Sequence, residues 1–134
     1  MALPIDLLIS GATVLHMDPG RTLSPDTSIA IDAGEIRELG VASNLRRRYT
    51  PRREIDASGH LAMPGFVNGH NHPFQVLCRG LGDGHDLSDW AAAAIWPVAA
   101  HLDREACEVA AHLACIEMIE SGTTCVMPWT FSRS

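Results

Sequence analysis

Two short apolar runs, Phe66 to His72 and Thr123 to Met127, flank a long helical stretch from Asp103 to Ser121, and this order constrains the fold more than any other feature. In the helical stretch Ala106, Val109, Ala110, Leu113, Ile116 and Glu117 recur at helical spacing, and Gly122 follows as a terminator. A strand, a long connection carrying a helix, and a second strand make a right-handed crossover, which parallel strands require and antiparallel ones do not. The expected class is therefore α/β. The first run leaves the turn Pro64-Gly65 and ends in His70-Asn71-His72. In an extended segment the period of two turns His70 and His72 to one face and Asn71 to the other. Two such imidazoles read either as hydrogen-bonded surface side chains or as ligands of one borderline metal such as zinc. Their place at a strand end, before a segment with Pro73 in a first helical turn, is where ligands gather in parallel α/β folds.

Upstream the pattern is of small strands and turns. Residues 5–9 and 12–17 read as two strands divided by Ser10-Gly11, followed by the turn Asp18-Pro19-Gly20. Residues 28–32 and 35–39 form a hairpin about Ala33-Gly34. Residues 42–49 suit a short helix capped by Ser43 and ended by Thr50-Pro51, and 53–56 a minor strand. Residues 1–62 are thus expected to be a small antiparallel β module, with too few large apolar side chains to stand without another covering surface.

Downstream, Arg79-Gly80-Leu81-Gly82-Asp83-Gly84 lacks the spacing of a nucleotide loop and reads as a mobile loop at a pocket mouth. Asp86 to Asp89 caps an alanine-rich segment, Trp90 to Trp96, which Pro97 ends or kinks. Trp90 and Trp96 suit either core packing or a cavity wall. Arg79 reads equally as a contact for a substrate carboxylate or carbonyl and as a merely exposed side chain of a glycine-rich loop. Phe131 to Ser134 offer no further strand.

The formal charge of -6 and the absence of a basic stripe beyond Arg46 to Arg48 with Arg52 and Arg53 argue against nucleic acid as a partner. No uncharged apolar run reaches the length of about 18 residues that spans a membrane, and the first residues lack the basic start of a secretory signal. Cys78, Cys107, Cys115 and Cys125 have no paired spacing and read as buried or partly buried thiols in a reducing cytoplasm.

The run Leu61 to His72 (LAMPGFVNGHNH) resembles the first barrel strand of the amidohydrolase superfamily, as do the DLLISGATVLHMD start, the IDAGEIRELG hairpin and the ESGTTCVMP passage. Arg79-Gly80-Leu81, Leu87 to Trp90 and Ile95-Trp96-Pro97 are similar to the branch that holds chlorohydrolase, S-adenosylhomocysteine/methylthioadenosine deaminase and related aminohydrolases. This resemblance implies a TIM (β/α)8 barrel with a small β-sandwich, in a chain much longer than this one. Residues 1–62 would supply part of the sandwich, and 63–134 the first two β/α elements.

It implies one divalent metal, zinc ahead of iron, bound by His70 and His72. A later histidine and aspartate would complete the ligands, and a later glutamate and histidine would move protons. No catalytic proton-transfer residue falls within the chain. In some ring deaminases a glutamine just after the histidine pair touches the substrate, which makes Gln75 a substrate-binding candidate beside Arg79 and Trp90, with helix capping or solvent exposure as its alternative. The implied reaction is hydrolysis of a C–N bond other than a peptide bond, most naturally deamination of a purine, pterin or triazine-like ring. Amide hydrolysis, dechlorination and a catalytically inactive truncated product are the alternatives. The partners expected are a small-molecule substrate and further copies of the chain, with no nucleic acid and no membrane.

Overall fold

The structure, a computed structural model, describes residues 1–130. It divides into two compact units, Met1–Pro64 and Gly65–Ser134.

The first unit is built around one strand, β1 (Leu3–Leu15), where two had been expected. Ser10-Gly11 does not break it. Gly11 takes a positive φ of 74°, and the ladder to β2 shifts register between Ile9 and Ala12, so a bulge absorbs the irregularity while the strand continues. β2 (Leu23–Asp32) pairs antiparallel with β1, and β3 (Glu35–Gly40) antiparallel with β2. Their hairpin turns at Ala33-Gly34, both at positive φ, the geometry whose twist matches paired strands.

The helix α1 (Ala42–Arg48) starts from Val41, whose side chain makes no capping bond, so the cap expected at Ser43 is not formed. β4 (Tyr49–Asp56) then runs parallel to β1, and β5 (Leu61–Ala62) adds a second parallel pairing. The sheet, ordered β3-β2-β1-β4, is therefore mixed and not antiparallel throughout. The sequence understated β4 because of Pro51, which is tolerated because β4 is an edge strand. Ile5, Leu8, Ala30 and Leu45 form one buried cluster, and Ala12, Val14, Ile29 and Ala57 another.

The second unit opens with β6 (Phe66–Asn71), followed by a 3-10 helix at Pro73–Cys78. Next comes the glycine-rich turn, in which Gly80, Gly82 and Gly84 all adopt positive φ. α2 (Leu87–Trp90) is capped by Asp86, whose carboxylate accepts from Asp89 N–H at 2.9 Å. Pro97 neither ends the helical path nor leaves it undisturbed. A π-helical turn at Ala91–Ile95 precedes α3 (Trp96–His101), with Pro97 in the first turn of α3. The wider turn relieves the clash of the proline ring with the preceding turn.

α4 (Arg104–Glu120) leads to β7 (Thr123–Pro128), which pairs parallel with β6 from Phe66↔Thr123 to Asn71↔Pro128. The strand, helix, strand order thus produces the expected parallel pair. Gly65 lets β7 sit close, because a Cβ there would lie 2.2 Å from Thr124 Cγ2.

The buried side of α4 differs from the expected stripe. Ala110, Ala114 and Met118 are buried, while Val109, Leu113 and Ile116 are exposed. α4 presents its small residues inward, which permits close packing on the 3-10 helix. Phe74, Cys78 and Ile95 form the buried centre here, with Trp90, Val98 and Leu102 against it. Among the described residues no helix is long and apolar enough to cross a membrane. All four cysteines are free, but only Cys78 is buried; Cys107, Cys115 and Cys125 are exposed and not buried or partly buried as expected. Phe131 to Ser134 lie outside the described residues.

Candidate metal and substrate site

The site grows from the end of β6. The strand stops at Asn71, one residue short of the expected boundary, and His72 leaves the extended conformation (φ −113°, ψ 87°) as the cap residue of the 3-10 helix. The ladder is also irregular between Asn68 and Asn71, so unbroken alternation is not what brings the two histidines together. They meet all the same. The His70 and His72 rings stand edge to face with centroids 4.9 Å apart. Two nitrogens on one tetrahedral zinc lie about 3.3 Å apart, from Zn–N bonds of about 2.0–2.1 Å, and neighbouring imidazoles at this spacing can converge to that distance. His72 Nδ1 is buried without a hydrogen-bond partner, so one of the two imidazoles carries a nitrogen that the protein itself leaves unsatisfied. The residues present therefore fit a metal at this position. They would supply two ligands, and no group of three or more His, Cys, Asp or Glu side chains able to hold an ion occurs among the described residues.

Trp129, just beyond β7, lies beside the pair. Its ring centroid is 5.7 Å from that of His70, and its N–H donates to Asn71 C=O at 2.7 Å. Nothing in the sequence pattern marked it, because its position depends on the pairing of β6 with β7.

A cleft of about 510 Å³ opens next to His72, and Gln75, Arg79 and Trp90 all line it. Four of the five site residues expected from sequence thus share one cavity, and His70 lies beside His72 at its edge. Gln75 sits in the 3-10 helix, where its N–H donates to His72 C=O at 2.9 Å. Trp90 donates its indole N–H to Leu81 C=O at 3.2 Å, which ties the glycine-rich turn to α2 and commits the indole's polar edge. Trp96 is 62% exposed and lies outside the cleft.

Arg79 is not free to take a substrate anion unaided. Its guanidinium donates to Glu117 on α4 at 2.5 Å, an ion pair at the cleft wall. Glu117, Asn71 and Cys78 also line the cavity and were not expected there. For Glu117 the one signal was a charged residue within the apolar spacing of α4. Burial pushes the Cys78 thiol up from its ordinary value, so it remains protonated at neutral pH and is no thiolate ligand.

Comparison with known proteins agrees with this geometry. The amidohydrolase family model matches residues 61–133, more than half of the chain. The chain is 39% identical over 127 residues to a 5-methylthioadenosine/S-adenosylhomocysteine deaminase of Pelotomaculum thermopropionicum, covering 95% of this chain and 29% of that one. It is 40% identical over 119 residues to a 5'-deoxyadenosine deaminase of Methanosarcina mazei, covering 89% and 27%.

Among solved structures, an adenosine deaminase from Xanthomonas campestris with bound zinc matches with a TM-score of 0.90 at 34% identity, covering 98% of this chain and 30% of that one. An atrazine chlorohydrolase from Arthrobacter aurescens in complex with zinc matches with a TM-score of 0.73 at 25% identity, covering 90% and 28%. The chain spans under a third of the length of these proteins. The match over Leu61 and beyond takes in the histidine pair, the cleft and the crossover, and on it the chain belongs to the amidohydrolase family.

Proposed function

We propose that residues 63–134 form the first two strand-helix elements of a (β/α)8 barrel, that residues 1–62 belong to a small β-sandwich, and that the protein is a metal-dependent hydrolase of C–N bonds other than peptide bonds. Its substrate class is an aminated ring of the purine type, and the reaction is deamination. The observation that carries this reading is the convergence of His70 and His72 at the end of β6, with His72 opening onto the cleft that holds Gln75 and Trp90. The names of the deaminase relatives and the zinc in two structural neighbours support it.

His70 and His72 would hold one divalent ion, zinc ahead of iron. When bound, such an ion supplies the Lewis acidity that makes water nucleophilic near neutral pH. The chain's own residues bind and orient. Gln75 carries both a donor and an acceptor on one amide, which suits the alternating heteroatoms of a purine-like edge. The indole of Trp90, its N–H already engaged, offers a flat apolar wall. Glu117 neutralises Arg79, so the cleft favours a neutral ring over an anion. The working setting is the cytoplasm, where four free thiols remain reduced.

Cobalt(II) or zinc titration of the 134-residue chain tests the ligand assignment. Binding of one ion per chain is expected, weakened at least tenfold in His70→Ala and in His72→Ala. Unchanged affinity in both variants would sink it. With two ligands and no proton-transfer residue assigned, the chain by itself is expected to show no adenosine-type deaminase activity. Metal-dependent turnover at one site per chain would contradict that.

A further inference from the structure

The two histidines at the end of β6 are held in different ways. His72 is half-buried, its C=O accepts from Gln75 N–H at 2.9 Å, and its ring stands edge to face with that of Phe74, 6.3 Å between centroids. His70 is exposed. Its backbone N–H donates to Asn68 Oδ1 at 3.1 Å, but among the described residues neither nitrogen of its ring takes part in a hydrogen bond. A ligating imidazole is ordinarily oriented by an acceptor on its second nitrogen. Without one, the broad χ2 torsion of histidine leaves an exposed ring free to turn.

Two neighbouring rings limit that turning, His72 at 4.9 Å and Trp129 at 5.7 Å between centroids, the indole tilted by 40° to the imidazole. Trp129 is itself rooted by the backbone. Pro128, whose φ is locked by its ring, ends β7 opposite Asn71, and the backbone N–H of Trp129 donates to Asn71 C=O at 2.7 Å. The indole is 53% exposed and joins none of the buried clusters among the described residues. A large aromatic side chain is thus set against His70 and not used in the core.

We infer that Trp129 is a positioning residue for His70: its indole, rooted by the backbone bond to Asn71, takes the place of a hydrogen-bonding acceptor and restricts the rotation of the imidazole beside His72. A side chain already restricted has less freedom to lose when it binds, and an aromatic pair of this kind shifts an equilibrium by roughly two- to tenfold. The inference rests on the reading of His70 and His72 as metal ligands.

The test uses the whole 134-residue chain without metal and then with cobalt(II). In the metal-free chain, nuclear Overhauser cross-peaks are expected between the His70 ring protons and the indole of Trp129, with the His70 ring protons displaced by the indole ring current. Trp129→Leu, which keeps bulk but no aromatic face, should move those protons to the positions of a free imidazole and weaken cobalt binding by roughly two- to tenfold. Trp129→Phe should keep the ring contact and bind cobalt within about twofold of the parent.

Absent cross-peaks in the parent overturn the inference, as do unchanged cobalt affinity in Trp129→Leu and a Trp129→Phe variant as weak as Trp129→Leu. If Trp129→Leu fails to fold by circular dichroism, the parent spectrum and Trp129→Phe decide. A merely structural Trp129 would lower the melting temperature in both variants and leave the His70 ring protons where they are. Failure of the ligand reading is separable: cobalt affinity unchanged in His70→Ala overturns that reading and this inference with it, whereas affinity that depends on His70 and not on Trp129 overturns the inference alone.

Discussion

Gly65 has room for a hydrogen and nothing larger, since a methyl group would meet Thr124 well inside contact distance. The obstacle is a β-branched side chain on a paired strand, which yields poorly. Gly65→Ala is therefore expected to destabilise the chain by about 1–3 kcal/mol, read from urea unfolding, and an unchanged midpoint would contradict the close approach. Two aspartates make a second prediction. The N–H and then the hydroxyl of Thr22 hold the Asp18 carboxyl below its ordinary 3.8, and the hydroxyl and then the N–H of Ser58 do the same for Asp56. Because the folded pKa is the lower one, these bonds contribute above the unfolded pKa and are lost as pH falls through the folded value. Carboxyl ¹³C titration should find both groups titrating below 3.8, with Asp18 returning toward it in Thr22→Ala. Of the candidate site, His70, His72 and Gln75 were legible because their spacing is local. Glu117 and Trp129 were not, because each enters through an approach of distant segments that spacing does not encode; Asn71 was not, because strict alternation turns it away from the histidines and the ladder is irregular there.

Elements obey their end signals unevenly. Asp103 caps α4 by accepting from Ala106 N–H at 2.8 Å, and Asp103→Ala should cost about 1 kcal/mol, measured by thermal melting. No change in stability would mean that packing alone holds the first turn. The cap at Asp86 was read from the sequence, whereas Asp103 marked only the start of the helical stretch. Ser43 misled, because the residue before α1 is Val41 and Ser43 already lies inside the helix. Gly11 misled in the other direction: a glycine at positive φ marks a break in most strands and a bulge in this one. The exposed faces of α4 explain another miss. Val109, Leu113 and Ile116 satisfy helical periodicity as well as Ala110, Ala114 and Met118 do, and periodicity does not say which stripe meets a partner. The choice was made by size, since the alanines admit the neighbouring 3-10 helix.

At the scale of the whole molecule the two units differ in how their strands are enclosed. β1 has neighbours along both edges, whereas β6 and β7 pair only with each other among the described residues. Amide hydrogen exchange should therefore be slowest in the middle of β1 and markedly faster in β6 and β7; equal protection in the two sheets would refute this. The α/β class and the parallel pair were readable from segment order, but the mixed sheet was not, since parallel pairing of β1 with β4 joins residues too far apart for any local signal. That pairing has a consequence for how the chain is made. β2 reaches β1 across a short turn, from Leu15 to Leu23, but β4 begins its register at Leu3 with Tyr49. Synthesis therefore delivers the central strand first and its second neighbour last, and the cost of closing so long a loop must be met before that edge gains a partner. Through that interval one side of β1 is bare, and a nascent chain is exposed to pairing with whatever other strand it meets.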